Sequence, residues 1–180
     1  MMPIGPLMIE HRLIERMIDV LRIEASRIVE GKTVDPVLLD SAVDFIRTYA
    51  DRTHHGKEED ILFKDLAERD LSSEDQGVMK ELVNEHVYAR QTVRGLVEAK
   101  ERYLEGDASA IEAIVERLEA LVSLYPAHIE KEDKAFFPAS MKYLTRSEQD
   151  AMIEKMREFD RRMIHEKYKS VVDRFEQRSG

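Results

Sequence analysis

His54-His55-Gly56-Lys57-Glu58-Glu59-Asp60-Ile61-Leu62-Phe63 decides the reading of this chain, because the segment occurs twice. Its echo is His128-Ile129-Glu130-Lys131-Glu132-Asp133-Lys134-Ala135-Phe136-Phe137. Each copy sets a His four residues before a Glu, follows the Glu with a second acidic residue, and ends on an aromatic. Residues four apart on a helix lie on one face, with Cβ atoms roughly 5–6 Å apart. Two such pairs on packed helices can converge on a metal.

The match extends outward from there. Glu10-His11 and Glu85-His86 form a second related pair. His128 follows His54 and Glu132 follows Glu58 by 74 residues, and His86 follows His11 by 75. Each half therefore reads as a helix with one His, then a helix with His-x-x-x-Glu. Packed together, two such hairpins bring four His and two Glu into one core.

Apolar residues recur at helical period in five blocks. The first runs from about Leu7 to Val29, with Leu7, Ile14, Met17, Leu21 and Ile28 on one stripe, and Gly31-Lys32 closes it. Pro36 suits the first turn of a second helix reaching about Leu66. Ser73 with Gln76 reads as a capping box opening a third helix, which Gly106 ends. A fourth helix covers about Ala108 to Phe136 and stops before Pro138. Thr145 and Glu148 form another capping box for a fifth, about 146–176. Short connections make consecutive helices antiparallel neighbours. The expected fold is all-α: an up-down-up-down four-helix bundle over about 7–138 with an additional C-terminal helix, one domain spanning 1–180. Two residues break local rules, Gly56 inside the second helix and Pro126 inside the fourth. An interior Pro costs about 3 kcal/mol and usually kinks a helix.

Composition narrows the chemistry. The 180 residues are 43% hydrophobic and 36% charged, with only 7 Gly and 5 Pro, which suits long amphipathic helices. Cysteine is absent, which excludes disulfides, thiol catalysis, iron–sulfur clusters and thiolate zinc sites. A formal net charge of −9 argues against nucleic acid and anionic membrane as partners. No run approaches the ~20 apolar residues that span a bilayer, and the N-terminal residues do not read as a signal peptide. The expected location is the cytoplasm.

A lone His-x-x-x-Glu is ordinary on the exposed face of an acidic helix. Two pairs in register, joined by two matched His on two further helices, are not. Neutral imidazole and carboxylate suit iron, manganese and zinc, and carboxylates can bridge two ions inside a bundle. The same carboxylates buried without a cation would cost several kcal/mol or take up protons. The expected ligands are His11, His54, Glu58, His86, His128 and Glu132. His55, rotated about 100° from His54, can reach the ion from the flank. Glu59 and Asp133 read as hydrogen-bond partners of ligands or as solvated groups. Arg90 and Glu15, one turn after His86 and His11, read as salt-bridging residues or ligand-orienting partners. Phe63 and Phe137 read as ordinary core, and His165, which has no repeat partner, as structural or exposed.

Taken as an ordered set, Glu10-His11, His54-His55-x-x-Glu58-Glu59-x-x-Leu62-Phe63, Glu85-His86 and His128-x-x-x-Glu132 ending in Phe137-Pro138 resembles the hemerythrin-like proteins, the HHE cation-binding group. The resemblance covers about residues 7 to 138. It implies a four-helix bundle holding two non-haem irons bridged by oxygen and carboxylates. It places His11, His54, Glu58, His86, His128 and Glu132 on family ligand positions, and His55 where some members have an extra carboxylate. The chain departs from the oxygen carriers at Arg90, where they have a second His. It departs again at Glu132, where they end the set with His-x-x-x-x-Asp. That pattern is closer to members linked to iron or oxygen sensing, and to some resembling peroxide-decomposing enzymes.

The expected function is a di-iron protein that binds or senses dioxygen, reactive oxygen species or iron. Its partner would be a small ligand such as dioxygen, peroxide or nitric oxide. Zinc or manganese would also suit the donor set. Two alternatives stand beside this reading: a catalase-like or peroxidase-like di-iron enzyme acting on hydrogen peroxide, and a metal-stabilised interaction module.

Overall fold

A computed structural model describes residues 2–179, with side chains described through Met163 and again at Lys167; His165 lies outside the described side chains. Five helices follow one another, and no strand occurs among the described residues. Helix α1 is Ile4–Gly31. Helix α2 is a continuous run over 36–67, and α3 is Ser73–Leu104. Helix α4 covers 110–140, and α5 is Arg146–Ser179. None of these helices is long and apolar enough to cross a membrane among the described residues.

The helix ends follow from local chemistry. Lys32 adopts a left-handed φ of 51° and returns its N–H to the Ile28 carbonyl, closing α1. Asp35 caps α2 by accepting from the N–H groups of Val37 and Leu38, and Pro36 occupies the first turn, where a missing N–H costs nothing. The expected cap of α3 is corrected by one residue. Ser72, not Ser73, is extended and accepts from Asp75 N–H, while Ser73 is already helical. Gly106, at φ 97°, supplies the turn after α3 that an L side chain would strain. Thr145 and Glu148 form the expected reciprocal box, with Thr145 N–H donating to Glu148 Oε2 at 2.7 Å.

Pro138 does not end α4. The backbone widens into a π turn over Glu132–Phe136, and the helix resumes as Phe137–Ser140 with Pro138 in its first turn. Further π turns occupy Ile46–His55 and Glu58–Phe63 of α2. Thr53 donates its hydroxyl to the Thr48 carbonyl five residues back, at 2.7 Å, within the first of them. Such turns add a residue per turn and turn the following side chains around the axis. Here they let consecutive residues, His54 and His55, both point inward: each is buried.

Two apolar clusters flank the middle of the molecule. One joins Ile14, Ile18 and Leu21 of α1 to Leu39 and Ile46 of α2, Val93 and Leu96 of α3, and Leu118 and Leu121 of α4. The other joins Leu7, Leu62, Leu66, Leu82 and Phe137 to Met152, Met156 and Phe159 of α5. Phe159 explains Gly56. A Cβ at position 56 would lie 2.8 Å from the tip of the Phe159 ring, so the glycine lets α5 dock against α2. The band between the two clusters carries the His and Glu residues.

Candidate metal centre

Five of the six histidines meet in this band. His11 comes from α1, His54 and His55 from α2, His86 from α3 and His128 from α4, and all are buried together with Glu58 and Glu132. They form two overlapping groups: His11, His54, Glu58 and Glu132, and His55, Glu58, His86 and His128. Within each group the donor atoms lie within 4.8 Å of one another, and Glu58 belongs to both. Glu132 reaches toward both, with Oε2 3.2 Å from His11 Nε2 and 3.4 Å from His128 Nε2. All seven residues expected from the sequence are therefore brought together. His55 is as integral to its group as the others, stacking on His86 with ring centroids 3.8 Å apart.

Four of the five imidazoles are held by a carboxylate from a different helix, while His55 Nδ1 lies 3.4 Å from Asp51 Oδ1 of its own helix. His54 Nδ1 lies 2.8 Å from Glu10 Oε2, and His128 Nδ1 lies 2.7 Å from Glu85 Oε2. His86 Nδ1 lies 2.7 Å from Glu59 Oε1, and His11 Nδ1 lies 2.7 Å from Asp133 Oδ1. An ionised carboxylate only accepts, so each of these Nδ1 atoms carries a hydrogen, and a neutral ring held this way presents its Nε2 lone pair inward, as His54 would on giving up its second proton to a metal. The inward atoms face one another closely, His11 to His54 at 2.9 Å and His86 to His128 at 3.2 Å.

The scheme repeats with the two-fold pattern of the sequence. The Glu before each lone His (Glu10, Glu85) orients the His of the following helix. The acid after each Glu (Glu59, Asp133) orients the lone His of another helix. Cations brace the carboxylates in turn: Lys57 pairs with Glu10, and Lys131 with Glu85 at 2.6 Å. Arg90 pairs with Glu59 at 2.7 Å, and Arg12 with Asp133. Phe137 stacks on His11 and Phe63 on His86, so both aromatics are core residues that also wall the site.

Arg90 is thus both a salt-bridging residue and an indirect support of His86. Glu15 pairs with Arg12 at the surface, at 3.0 Å. The sequence reading missed the two lysines and gave Glu10 and Glu85 no task. The signal was present: Lys57 and Lys131 sit immediately before the two matched Glu. Lys57 is buried, and its ammonium also lies 2.7 Å from Asp160 of α5.

Whether a cation suits this cluster can be judged from its acids. All four carboxylate oxygens of Glu58 and Glu132 are buried without a hydrogen-bond donor. Burial, then the Glu58 charge beside it, pushes the Glu132 carboxyl far above the usual range. Burial also works against Glu58, but the adjacent His54 outweighs it and holds Glu58 down. His54 is itself raised to about 9: burial opposes its charge, and Glu58 and Glu10 prevail. His11 is lowered to about 4, chiefly by burial and then by His54, and burial drives His55 well below its ordinary value. Two acids in contact, ringed by inward imidazole lone pairs, are a poor arrangement alone and a good one around dications. The residues present fit a metal.

A model of the hemerythrin HHE cation-binding domain matches residues 2–140. No curated protein matched the chain, and neither did any solved structure. The match spans α1 to α4 and includes all seven buried donors and the carboxylates that orient them. The buried His and Glu cluster is the place where such a domain would hold its cation, and the chain belongs to the hemerythrin HHE cation-binding domain family.

Proposed function

We propose that this protein is a non-haem di-iron protein that binds or senses dioxygen, reactive oxygen species or iron. In this reading α1 to α4 are an up-down-up-down four-helix bundle, and α5 braces α2 from outside. His11 and His54 hold one ion, and His55, His86 and His128 hold the other. Glu58 and Glu132 bridge them. His55 takes up the role of a third imidazole on the second ion, and Arg90 on α3 is free to serve as a brace of Glu59.

The observation that carries the reading is the set of four buried carboxylate oxygens without a hydrogen-bond partner, three of which lie 3.2–3.4 Å from the Nε2 atoms of His11, His54, His86 and His128. Bound there, a pair of irons supplies a redox-active centre to which a small ligand can attach. The chain's own residues do the rest. Glu10, Glu59, Glu85 and Asp133 fix His54, His86, His128 and His11 in orientation. Phe63, Phe137 and the two apolar clusters keep bulk water away. The His11–His54 group offers one imidazole fewer than its neighbour, which leaves that side the more open to a ligand.

The test is an absorption spectrum of the iron-reconstituted, air-oxidised protein, with iron counted per chain. Oxo-bridge charge-transfer bands at about two irons per chain, both lost in Glu58→Ala, support the reading. A protein that takes up no iron overturns it. Rapid oxygen evolution on adding hydrogen peroxide would turn the reading from a sensor to the enzyme; stable ligand binding without turnover is the expected result.

A further inference from the structure

Helix α5 lies beyond the matched domain, which ends at residue 140, yet it reaches the layer of side chains that holds the histidines. Phe159 seats against Gly56, and Asp160 meets Lys57, the residue between Gly56 and Glu58. The Lys57 side chain is 0% exposed, so its charge needs protein partners in place of water. Among the described residues two carboxylates meet it. Its ammonium donates to Glu10 Oε1 and lies 2.7 Å from Asp160 Oδ1, a buried oxygen. The other oxygen of Glu10, Oε2, faces His54 Nδ1 at 2.8 Å. A polar chain therefore runs from α5 through α2 and α1 to a histidine of the cluster: Asp160, Lys57, Glu10, His54.

The second half of the repeat supplies an internal control. Lys131 stands to Glu85 and His128 as Lys57 stands to Glu10 and His54. Its further partner is Glu81, on the same helix as Glu85 and one turn before it. The Lys131 and Glu81 side chains are 24% and 58% exposed, so water can replace Glu81. Lys57 has no such recourse. Without Asp160, its ammonium has lost one of two carboxylates and draws on both oxygens of the other. That takes Glu10 Oε2 away from His54. We propose that Asp160 is a positioning residue for His54, acting through Lys57 and Glu10, so that docking of α5 and metal occupancy of the His11–His54 group favour one another. The proposal rests on the cluster holding a metal and adds that the fifth helix sets how tightly it is held. The coupling is reciprocal: the factor that docking adds to metal affinity is the factor that metal adds to docking.

The probe is ferrous iron under anaerobic conditions, followed on the full chain by chelator competition and by amide hydrogen exchange over 152–163 with and without iron. A wild type that takes up no iron overturns the metal reading, and this inference with it. With iron bound, Asp160→Asn is expected to weaken iron affinity about three- to tenfold, less than the roughly 10- to 100-fold of a group that touches the ligand itself. Asp160→Glu, which keeps the charge, should bind within about twofold of the wild type. Glu81→Gln, the matching change beside Lys131, should also stay within about twofold, as befits an exposed pair. Iron should slow exchange over 152–163 at least about threefold in the wild type. In Asp160→Asn that slowing should be lost while the slowing in α1 to α4 remains. The inference is overturned, with the metal reading intact, if Asp160→Asn binds iron as tightly as wild type. It is equally overturned if Asp160→Glu is as weak as Asp160→Asn, or if Glu81→Gln weakens binding as much. Should Asp160→Asn fail to fold, the wild type alone decides: iron that protects α1 to α4 and leaves 152–163 unchanged overturns it.

Discussion

Replacing Glu132 with Gln separates a metal centre from a buried ion-pair network, because the two accounts demand opposite signs. In the metal-free protein the close partners of Glu132 are His11, lowered to about 4, and His128, also lowered, chiefly by burial. Both are neutral at pH 7 and cannot support an ionised Glu132, so its carboxyl is held toward the protonated form at a cost to folding. The charge of His54, raised to about 9, is already committed to Glu58 and Glu10. Glu132 is thus an uncompensated buried acid, and removing the acid while keeping the shape should stabilise the metal-free protein by about 1–3 kcal/mol. For a domain of this length that is an upward shift in Tm of roughly 3–10 °C.

Iron at 1,000 times its dissociation constant should add about 4 kcal/mol to the wild type. The variant should lose most of that gain, so the order of stabilities reverses on loading. Thermal unfolding by far-UV circular dichroism, with chelator and with excess ferrous iron, reads both states. A metal-free Glu132→Gln that is about 3–5 kcal/mol less stable than wild type would refute the reasoning, since that is the cost of breaking a structural buried pair.

Three further outcomes follow from the same geometry. Glu85→Gln removes the acceptor of His128 Nδ1 and should weaken metal affinity about 10- to 100-fold in a chelator competition, with little change in metal-free stability; an unchanged affinity would mean that the carboxylates do not orient the ligands. Metal loading should release protons. His54 lies above its ordinary value, so its charge supports the metal-free fold fully below pH ~6.5 and that support fades as pH rises through about 9. Apparent metal affinity should accordingly climb with pH across that window, about tenfold per unit for each proton displaced, and level off above it. Calorimetric titration in buffers of different ionisation enthalpy measures the proton count, and a count of zero at pH 7 would contradict the assignment. Gly56→Ala should destabilise by about 1 kcal/mol in a denaturant titration, the clash with Phe159 exceeding the gain in helix propensity. In a Phe159→Leu background the same change should stabilise; a stabilising Gly56→Ala in the wild type would mean that Phe159 does not set the helix contact.

The helices were readable because their punctuation is local. Pro36, Gly106 and the Thr145–Glu148 box act through neighbouring backbone, and the apolar stripes need only a helical period. Six of the seven buried His and Glu of the cluster were readable because the two halves repeat one another, so each had a counterpart; His55, opposite Ile129, had none. What stayed hidden depends on other helices or on irregular backbone. The π turns that carry Glu58 and Glu132 leave no periodic trace, and they are why Pro138 continues a helix that it was expected to end. They also bring His55, which straight α-helical spacing swings away from His54, into the buried cluster. Gly56 broke a rule along its own helix for a reason that lies on α5. Lys57 and Lys131 looked like ordinary surface charge until Glu10 and Glu85 were seen across the helix interface, though their equal spacing from the repeated Glu was visible throughout.

The central claim, two ions sharing Glu58 and Glu132, is tested most directly by crystallography of the iron-loaded protein with diffraction data at the iron absorption edge. The account predicts two anomalous peaks about 3.5–4 Å apart. One should lie against His11 and His54 Nε2, and the other among His55, His86 and His128, with the two carboxylates between them. One peak, or peaks away from these seven side chains, would contradict it.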